Sequence, residues 1–385
     1  MKNELRLLAF LVCLALCACQ KQKPVAQTIA APKADVRNEV VPVNDTVYET
    51  QYLYSREEEK DRNEQSEFKV GNDVYKAFTE SYSLNDSSLV QILPDSIKSK
   101  QMSVKKLKCH NHVYNIKLTK NGKLVYEKQF TKLDFLKLDD DGFLKESAPN
   151  APSFRGVTAD GKVLFDMWFC LPDSDFGGIS FFSTDLKGNL LQLESYSSTG
   201  GNGCDGGVET SPDRRYFLSC QKLYGPKGYV FSFGKPDMVK ATFLSDTTFV
   251  AIYDFVHRSY NKLKGEWEET HDEKANNLIV YHVNGKRLAS YRYRGFTNEL
   301  DYNAPLEIFK DPGVLVLMDT EKEEIHSISL AHSQVSAVYS LSSLTKLTSR
   351  SQMPDWQEAS MEALGKKYYF YFALDTLKAY HIAKR

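Results

Sequence analysis

Residues 113–126 read Val-Tyr-Asn-Ile-Lys-Leu-Thr-Lys-Asn-Gly-Lys-Leu-Val-Tyr. Residues 113–118 alternate between apolar and polar side chains, and apolar residues return after Asn121-Gly122, which is typical of two strands on either side of a turn. An Asn-Gly pair in this position favours a two-residue hairpin turn, because both residues tolerate the positive φ that the turn requires. The segment therefore predicts two antiparallel strands.

Similar pairs of apolar segments recur along the chain. Their predicted strands are 154–157 with 163–169, 179–183 with 190–194, 278–283 with 287–293, 314–318 with 325–330, and 368–374. No strand–long helix–strand unit accompanies them, which argues against a parallel α/β sheet. The aromatic content of 12% also suits half-buried pleated surfaces. The fold class predicted is all-β, made of antiparallel hairpins.

Two arrangements of these hairpins remain open. Their spacing of 20–30 residues, with turn sequences such as Ser211-Pro212-Asp213, favours a β-propeller-like body of six to seven blades. The alternative is two β-sandwich or barrel domains that meet at residues 199–207. One short helix is predicted at residues 356–364, with Asp355 as its N-cap, Glu358 in a capping box and Gly365 at its end.

The N-terminus carries a leader pattern. Lys2 and Arg6 precede ten apolar residues, 7–16, which is too short a run to span a bilayer and has the length of a signal-peptide core. The run ends in Leu16-Cys17-Ala18-Cys19. This ending resembles the lipobox of bacterial lipoproteins of the Bacteroidetes type, and the resemblance implies that residues 1–18 are removed and that Cys19 is lipidated.

The resemblance also implies a location. Several acyl chains on one cysteine hold a protein to one leaflet without spanning it. Residues 20–23 contain no acid, whereas the surface-export signal of Bacteroidetes-type lipoproteins is an acidic cluster directly after the lipidated cysteine. We therefore expect a lipid anchor in the outer membrane that faces the periplasm.

The rest of the chain divides into a tether and a body. Residues 19–68 are polar and largely without apolar period, which predicts a flexible tether, except that residues 47–53 have the pattern of a docking strand. Residues 69–385 form the predicted β-rich body. With 49 Lys and Arg against 50 Asp and Glu, the chain has no electrostatic footprint for nucleic acid.

Residues 74–194 are also similar to a family of small uncharacterised Bacteroidetes lipoproteins. The phrases that carry the resemblance are Lys120-Asn121-Gly122-Lys123, Gln129-Phe130-Thr131-Lys132-Leu133-Asp134-Phe135 and Leu171-Pro172-Asp173-Ser174-Asp175. The family has no assigned activity, so the resemblance implies no catalytic residue.

Four cysteines remain after the leader and Cys19 are set aside: Cys109, Cys170, Cys204 and Cys220. In an oxidising compartment an even number favours disulfides. We expect Cys204–Cys220, because a strand near residues 215–221 can fold back onto the Gly-rich segment before it, and this leaves Cys109–Cys170. Four buried free thiols are the alternative.

No motif identifies a catalytic, cofactor or metal site. The G-x-G-x-x-G pattern at 201–206 is not followed by a helix that could hold a pyrophosphate. His110 and His112 would share one face of a strand, but no third metal ligand accompanies them. The acidic turn 139–141 lacks the spacing of a calcium loop. The sequence predicts no cofactor and no metal.

Residues 257–277 interrupt two strongly apolar strands with a charged, aromatic segment. Tyr260 and Trp267 among charges suit a contact surface for an envelope protein or a glycan. The alternative is a protruding hairpin that turns at Lys264-Gly265 and has no partner. The function we expect is that of a lipid-anchored, non-enzymatic binding module of the cell envelope. The alternative is an envelope hydrolase or lyase whose site assembles from separated strands.

Overall fold

Antiparallel β-sheets make up most of the computed structural model. The residues it describes are 46–50, 62–94, 104–138, 142–171, 176–199, 207–219, 221–234, 238–272, 274–293, 296–297, 302–319, 322–333, 336–350, 355–363 and 365–383. In this part of the chain none of the sheets closes on itself, and the α-helices are two segments of five residues. No helix among these residues has the length and apolar content to cross a membrane. The all-β prediction is confirmed.

The first seven strands form two sheets. They are β1 (Thr46–Thr50), β2 (Arg62–Val70), β3 (Asp73–Ser83), β4 (Leu89–Pro94), β5 (Val104–Cys109), β6 (His112–Lys120) and β7 (Lys123–Thr131). The strand orders are β1-β5-β4 and β2-β3-β6-β7. The predicted hairpin is β6–β7, and its turn residues Asn121 and Gly122 have φ of 51° and 76°.

The predicted end of the tether at residue 68 is wrong. Strand β2 lies largely inside that segment and pairs with β3 along its whole length, from Arg62 opposite Ser81 to Val70 opposite Asp73. Its polar sequence fits a strand at the end of a sheet, since one face meets water while Phe68 and Val70 pack against the core. The predicted strand within 47–53 is present in part as β1.

Two short helices and a five-stranded sheet follow. The elements are α1 (Lys132–Leu136), α2 (Gly142–Glu146), β8 (Ala148–Pro149), β9 (Ser153–Val157), β10 (Val163–Cys170), β11 (Phe176–Thr184) and β12 (Leu190–Thr199). Strand β10 pairs with β11 on one side and with both β8 and β9 on the other. The predicted hairpins β9–β10 and β11–β12 are confirmed.

Three four-stranded sheets come next. Their strands and the intervening pairs are β13 (Glu209–Thr210), β14 (Phe217–Leu218), β15 (Lys222–Tyr224), β16 (Val230–Ser232), β17 (Met238–Phe243), β18 (Thr248–Tyr253), β19 (Val256–Asn261), β20 (Glu266–His271), β21 (Leu278–His282), β22 (Arg287–Tyr291), β23 (Phe296–Thr297), β24 (Tyr302–Asn303), β25 (Leu306–Phe309), β26 (Val314–Asp319), β27 (Glu324–Ser329) and β28 (Ser336–Ser340). The sheets have the orders β13-β14-β15-β16, β17-β18-β21-β22 and β25-β26-β27-β28, while β19–β20 and β23–β24 are separate two-stranded pairs. Short 3-10 turns lie at Pro226–Gly228 and Leu341–Ser343.

The last sheet contradicts the predicted helix at 356–364. Its strands are β29 (Thr345–Lys346), β30 (Gln357–Ala363), β31 (Lys366–Ala373) and β32 (Thr376–Ile382), in the order β29-β32-β31-β30. Apolar side chains in β30 also recur at every second position, and Ala359 and Met361 lie opposite the aromatic rings of Phe370 and Tyr368. This long-range pairing outweighs the local helix signals. Gly365, predicted to end a helix, instead takes φ +66° between β30 and β31.

The central strands serve two cores at once. All six residues of β18 are buried. One face of the strand, with Phe249, Ala251 and Tyr253, packs in the core shared with the β13–β16 sheet. The other face, with Val250 and Ile252, packs in the core shared with the β25–β28 sheet. Strand β26 divides its side chains in the same way between two cores. Successive sheets therefore stack through their faces, which explains why these strands are continuously apolar rather than alternating.

Candidate functional site

Residues from four of the sheets line a cavity of about 750 Å³. Its walls come from the β2–β3 turn, from β13 and the turn after it, from the end of β17, and from β25, its turn and the end of β27. We call it the four-sheet cavity. Its volume lies in the range of pockets that hold small organic ligands.

Apolar side chains form much of the wall of the four-sheet cavity. They are Phe68, Val70, Phe243, Leu244, Ile308 and Leu330. Phe243 and Leu244 are almost fully buried, at 4% and 6% exposure, and belong to the cores on either side of the β17–β18 sheet. The wall is therefore part of the packed body, and a ligand could bury apolar surface against it.

The charged residues of the lining are three cations and one acid: Lys69, Arg214, Lys310 and Glu209. Lys69 and Lys310 are exposed, whereas Arg214 and Glu209 are half-buried. Lys69 also lies 3.5 Å from the Glu67 carboxylate, on the outer side of β2. Cationic residues therefore outnumber acidic ones in the lining, although the Lys69 ammonium lies beside Glu67.

Glu209 already has hydrogen-bond partners within the fold. The Phe243 N–H donates to Glu209 Oε1 at 3.3 Å, and the Thr242 hydroxyl also bonds to the carboxyl. Burial raises the pKa of Glu209 above its ordinary value of 4.5, since removal from water disfavours the carboxylate. The acid therefore ties β13 to β17, and its negative charge is disfavoured there.

Arg214 is held in place by its turn. Its N–H donates to Ser211 O at 2.8 Å, its carbonyl accepts from Ala159 N–H at 2.8 Å, and its Nη1 donates to Val157 O at 3.3 Å. Asp213 N–H donates to Asp246 Oδ1 at 2.7 Å, which links the turn to the next sheet. The residue has φ +61°, in the left-handed region that glycine usually occupies.

The polar side chains of the lining can be compared with the requirements of catalysis. General acid–base or nucleophilic catalysis needs a nucleophile within hydrogen-bond reach of a base. The residues that line the cavity include no histidine or cysteine, and the Ser211 hydroxyl donates to Asp213 within its own turn at 2.7 Å. A concave site with an apolar wall and a few cations instead has the composition of a ligand-binding pocket.

A buried polar cluster lies around the short helices α1 and α2. Lys132 is 1% exposed; its Nζ donates to Lys145 O at 3.1 Å, and its N–H donates to Asn111 Oδ1 at 3.1 Å. Burial lowers the pKa of Lys132 from 10.5 to about 7. Burial, followed by the charge of Lys132, lowers the pKa of His112 from 6.5 to about 3. The hydrogen bonds of this cluster go mainly to backbone groups, which indicates a structural role.

The two histidines of the Cys-His-Asn-His segment are both buried. His110 Nδ1 accepts from Ser87 N–H at 3.1 Å, and the His112 ring contacts His110 O at 3.3 Å. The His110 ring, just before β6, thus accepts a hydrogen bond from the backbone of the segment between β3 and β4. Among the described residues there is no group of three or more His, Cys, Asp and Glu side chains arranged to hold a metal ion.

The predicted Cys109–Cys170 disulfide is not formed. Cys109 is a buried free thiol at the end of β5, packed with Leu89 and Leu107. Cys170 ends β10 and is exposed, so the two side chains occupy different environments. Burial raises the pKa of the Cys109 thiol, which disfavours its reactive thiolate. Cys204, Cys220, the seam at 199–207 except its two ends, the acidic turn 139–141 and Cys19 lie outside the described residues.

A second cavity, of about 500 Å³, lies where β2 meets β8 and β9. Its polar lining includes Glu64 and Ser153, whose hydroxyl donates to Glu64 Oε2 at 2.6 Å, and the half-exposed ring of Trp168. Close by, Arg155 forms a two-point ion pair with the buried Asp166. This cleft is more polar than the four-sheet cavity and has no comparable apolar wall.

The predicted charged hairpin is confirmed as β19–β20. It branches from between β18 and β21, which pair directly with one another. Tyr260 and Trp267 lie opposite each other, 50% and 68% exposed, with their rings edge to face at 5.4 Å. Leu263 at the tip is 98% exposed. The structure thus brings the two predicted contact residues together on one solvent-facing branch.

Residues 56–184 match the profile of a family described as a domain of unknown function (DUF4738). The matched segment covers β2 to β11 and overlaps the predicted resemblance at 74–194, and the match is consistent with a domain family of uncharacterised function. No curated protein matches the chain. Among solved structures, a chain from the crystal structure of the nidogen/laminin complex aligns with 71% of this chain and 98% of its own length, at 11% identity and a TM-score of 0.26. A likeness of this size carries no argument about fold or function.

Sequence reasoning missed the charged residues of the four-sheet cavity. Ser211-Pro212-Asp213 is visible as a turn, but the residue that follows it gives no sign of facing a pocket. One sequence feature could have indicated it. The turns at Asp160-Gly161 and Asn284-Gly285 have glycine at the position where this turn has Arg214.

Proposed function

We propose that this protein is a lipid-anchored component of the bacterial cell envelope whose β-rich body binds a small ligand in the four-sheet cavity without transforming it. The observation that carries the proposal is the cavity itself: an apolar wall, three cations and no nucleophile beside a base among its lining residues. The alternative, a hydrolase or lyase, gains no support from that lining.

The anchor is proposed from the leader sequence. Residues 1–18 have the features of a lipoprotein signal peptide, and Cys19 has the position of the acylated cysteine. The absence of acids at 20–23 supports an outer-membrane position facing the periplasm. Residues after Cys19 would then separate the body from the lipid surface.

The Cys19→Ala variant is expected to lose membrane association. Without acyl chains, the described body offers no membrane-spanning helix to hold it. The measurement is the distribution of the protein between membrane and soluble fractions, with incorporation of radiolabelled palmitate. Cys17→Ala is the matched control and should remain lipidated, because Cys17 would leave with the leader. Retention of the Cys19→Ala protein in washed membranes would contradict the anchor.

Filling the four-sheet cavity is expected to weaken ligand binding. Ile308→Trp places a larger side chain at a half-buried position of the wall, and we expect the affinity for the apolar anionic dye 8-anilinonaphthalene-1-sulfonate to fall at least about tenfold. Dye fluorescence is titrated on the purified Cys19→Ala chain, which carries no acyl chain to compete. Leu263→Trp, at the exposed hairpin tip, is the control. Equal binding by the two variants at equal melting temperature would exclude the cavity.

We propose a second contact surface on the β19–β20 hairpin, for an envelope protein or a glycan. Its support is the exposed aromatic pair formed by Tyr260 and Trp267.

A photo-crosslinking residue in place of Leu263 is expected to form adducts with an envelope component in cells. The same residue in place of Leu374, which is 84% exposed on the β31–β32 turn, is the matched control and should form none. The readout is the band pattern after irradiation. Adducts at neither position, or identical adducts at both, would remove the hairpin as a contact surface.

We also propose that the stacked sheets follow one another around the four-sheet cavity in a propeller-like way. Support comes from the shared cores of successive sheets and from the contribution of four sheets to one cavity. The arrangement as two separate β domains is the alternative.

A further inference from the structure

Five hairpin turns in the described part of the chain share one hydrogen-bond pattern. In each, the N–H of the fourth residue donates to the carbonyl of the first, at 2.8–3.1 Å. They are the turns at 158–161, 185–188, 211–214, 282–285 and 310–313. The fourth residue has positive φ in all five. Four of the turns place glycine there, with φ between +64° and +87°.

The turn at 211–214 is the exception, since Arg214 occupies the glycine position with φ +61°. An L-residue in the left-handed region is strained by contacts of its Cβ that glycine lacks. Such strain persists where the surroundings impose it and is concentrated at functional sites. Two of the five turns, 211–214 and 310–313, contribute residues to the four-sheet cavity. In the turn at 211–214, the residue with positive φ, Arg214, itself lines the cavity.

We propose that the four-sheet cavity binds a small organic anion joined to an apolar body, and that Arg214 is the residue that recognises the anionic group. The proposal rests on the proposed ligand-binding function of this cavity. It assigns the apolar part of the ligand to the wall that includes Phe243 and Ile308, and the anionic group to the cationic side.

The charges of the lining support this class of ligand. Lys310 and Lys69 also line the cavity, and the Lys69 ammonium lies 3.5 Å from the Glu67 carboxylate. The acid of the lining, Glu209, already accepts a hydrogen bond from Phe243 N–H. A guanidinium offers five donors in a planar fork that matches a carboxylate, sulfonate or phosphate. One donor of Arg214 goes to Val157 O at 3.3 Å, and this bond restricts the orientation of the guanidinium.

The experiment compares Arg214→Gly with Arg214→Ala on the full chain in the Cys19→Ala background. Both variants lose the guanidinium, but only glycine relieves the positive-φ strain. Arg214→Gly is expected to melt about 1–2 °C above Arg214→Ala. Both are expected to bind decanoate about tenfold to a hundredfold more weakly than the parent, by isothermal titration calorimetry below the micelle concentration. Binding of the neutral decanol should stay within about twofold.

Lys227→Gly is the matched control. Lys227 is also a cation with positive φ (+57°), in the 3-10 turn Pro226–Gly228, and it does not line the cavity. This variant should therefore bind decanoate as the parent does.

The outcomes separate the two proposals. If the parent binds decanoate no more tightly than decanol, or if both Arg214 variants retain full affinity for decanoate, the assignment of the anion and of Arg214 is overturned while the cavity remains a ligand site. If the parent binds neither compound and also fails to bind the dye, ligand binding in the cavity itself is overturned. An Arg214→Gly variant that melts no higher than Arg214→Ala would refute the strain argument.

Discussion

Asp166→Ala is expected to lower the free energy of unfolding by about 3 kcal/mol. The Asp166 side chain is 1% exposed and accepts from Arg155 Nε at 2.5 Å, from Arg155 Nη2 at 3.0 Å and from Val208 N–H at 3.4 Å. Removing it leaves a half-buried guanidinium and a buried N–H without their acceptor. The effect stays at the low end for a buried pair, because the Arg155 side chain is 41% exposed and can reach water.

Denaturant unfolding measures this difference. Glu127→Ala is the matched control: it removes a carboxylate 3.7 Å from Lys117 Nζ, but the Glu127 side chain is 61% exposed, so we expect a change of at most about 0.5 kcal/mol. Equal effects of the two substitutions would show that the buried pair contributes no more than a surface pair. Because Val208 directly precedes β13, Asp166→Ala is also expected to loosen the segment that carries Glu209 into the four-sheet cavity.

Lys132→Met is expected to change the pH dependence of the free energy of unfolding above pH 7, because the variant lacks the buried amine. The pKa of Lys132 is about 7 in the fold, because the side chain is fully buried, whereas the unfolded value is near 10.5. Between these values unfolding takes up a proton, so the stability of the parent protein rises with pH. From pH 7 to 8.5 the gain is on the order of 1 kcal/mol.

The variant should lack this rise. The window ends near pH 8.5, about where an unfolded thiol begins to ionise. Because burial raises the pKa of Cys109, the folded chain keeps this proton longer than the unfolded chain, and this contribution offsets the rise from Lys132 at higher pH. Lys123→Met, at the exposed β6–β7 turn, is the control and should leave the slope unchanged. A Lys132→Met protein with the same slope as the parent would show that this lysine does not titrate in the window.

The sequence predicts the local hairpins well because each is specified by its own turn. Asn121-Gly122, Asp160-Gly161 and Asn284-Gly285 all form turns with positive φ. Residues 357–363 show the limit of local signals: their apolar residues fit two periods, and only the rings of β31 across the sheet select the strand. The polar strand β2 was missed for a related reason, since its pairing with β3 replaces the apolar pattern.

The candidate site could not be predicted in the same way. Its lining joins residues 68–71, 209–214, 243–244, 308–310 and 330, which are brought together by the stacking of sheets rather than by any contiguous motif. Lys132 illustrates the same point: in the sequence it is an ordinary cation at the start of a short helix, and only the fold shows that it is buried. The hairpin with Tyr260 and Trp267 was predictable because its turn and its aromatic pair are local.

The base of the β19–β20 hairpin is narrow. Tyr253 N–H donates to Asn277 O at 2.9 Å and Asp272 N–H donates to Phe255 O at 2.7 Å, so the chain leaves its sheet and returns to it at adjacent points. Strands β18 and β21 consequently keep their register whatever length of chain joins them. The hairpin is therefore a suitable insertion point: an epitope tag or a fluorescent module inserted there would lie on the outside of the protein, away from both neighbouring cores.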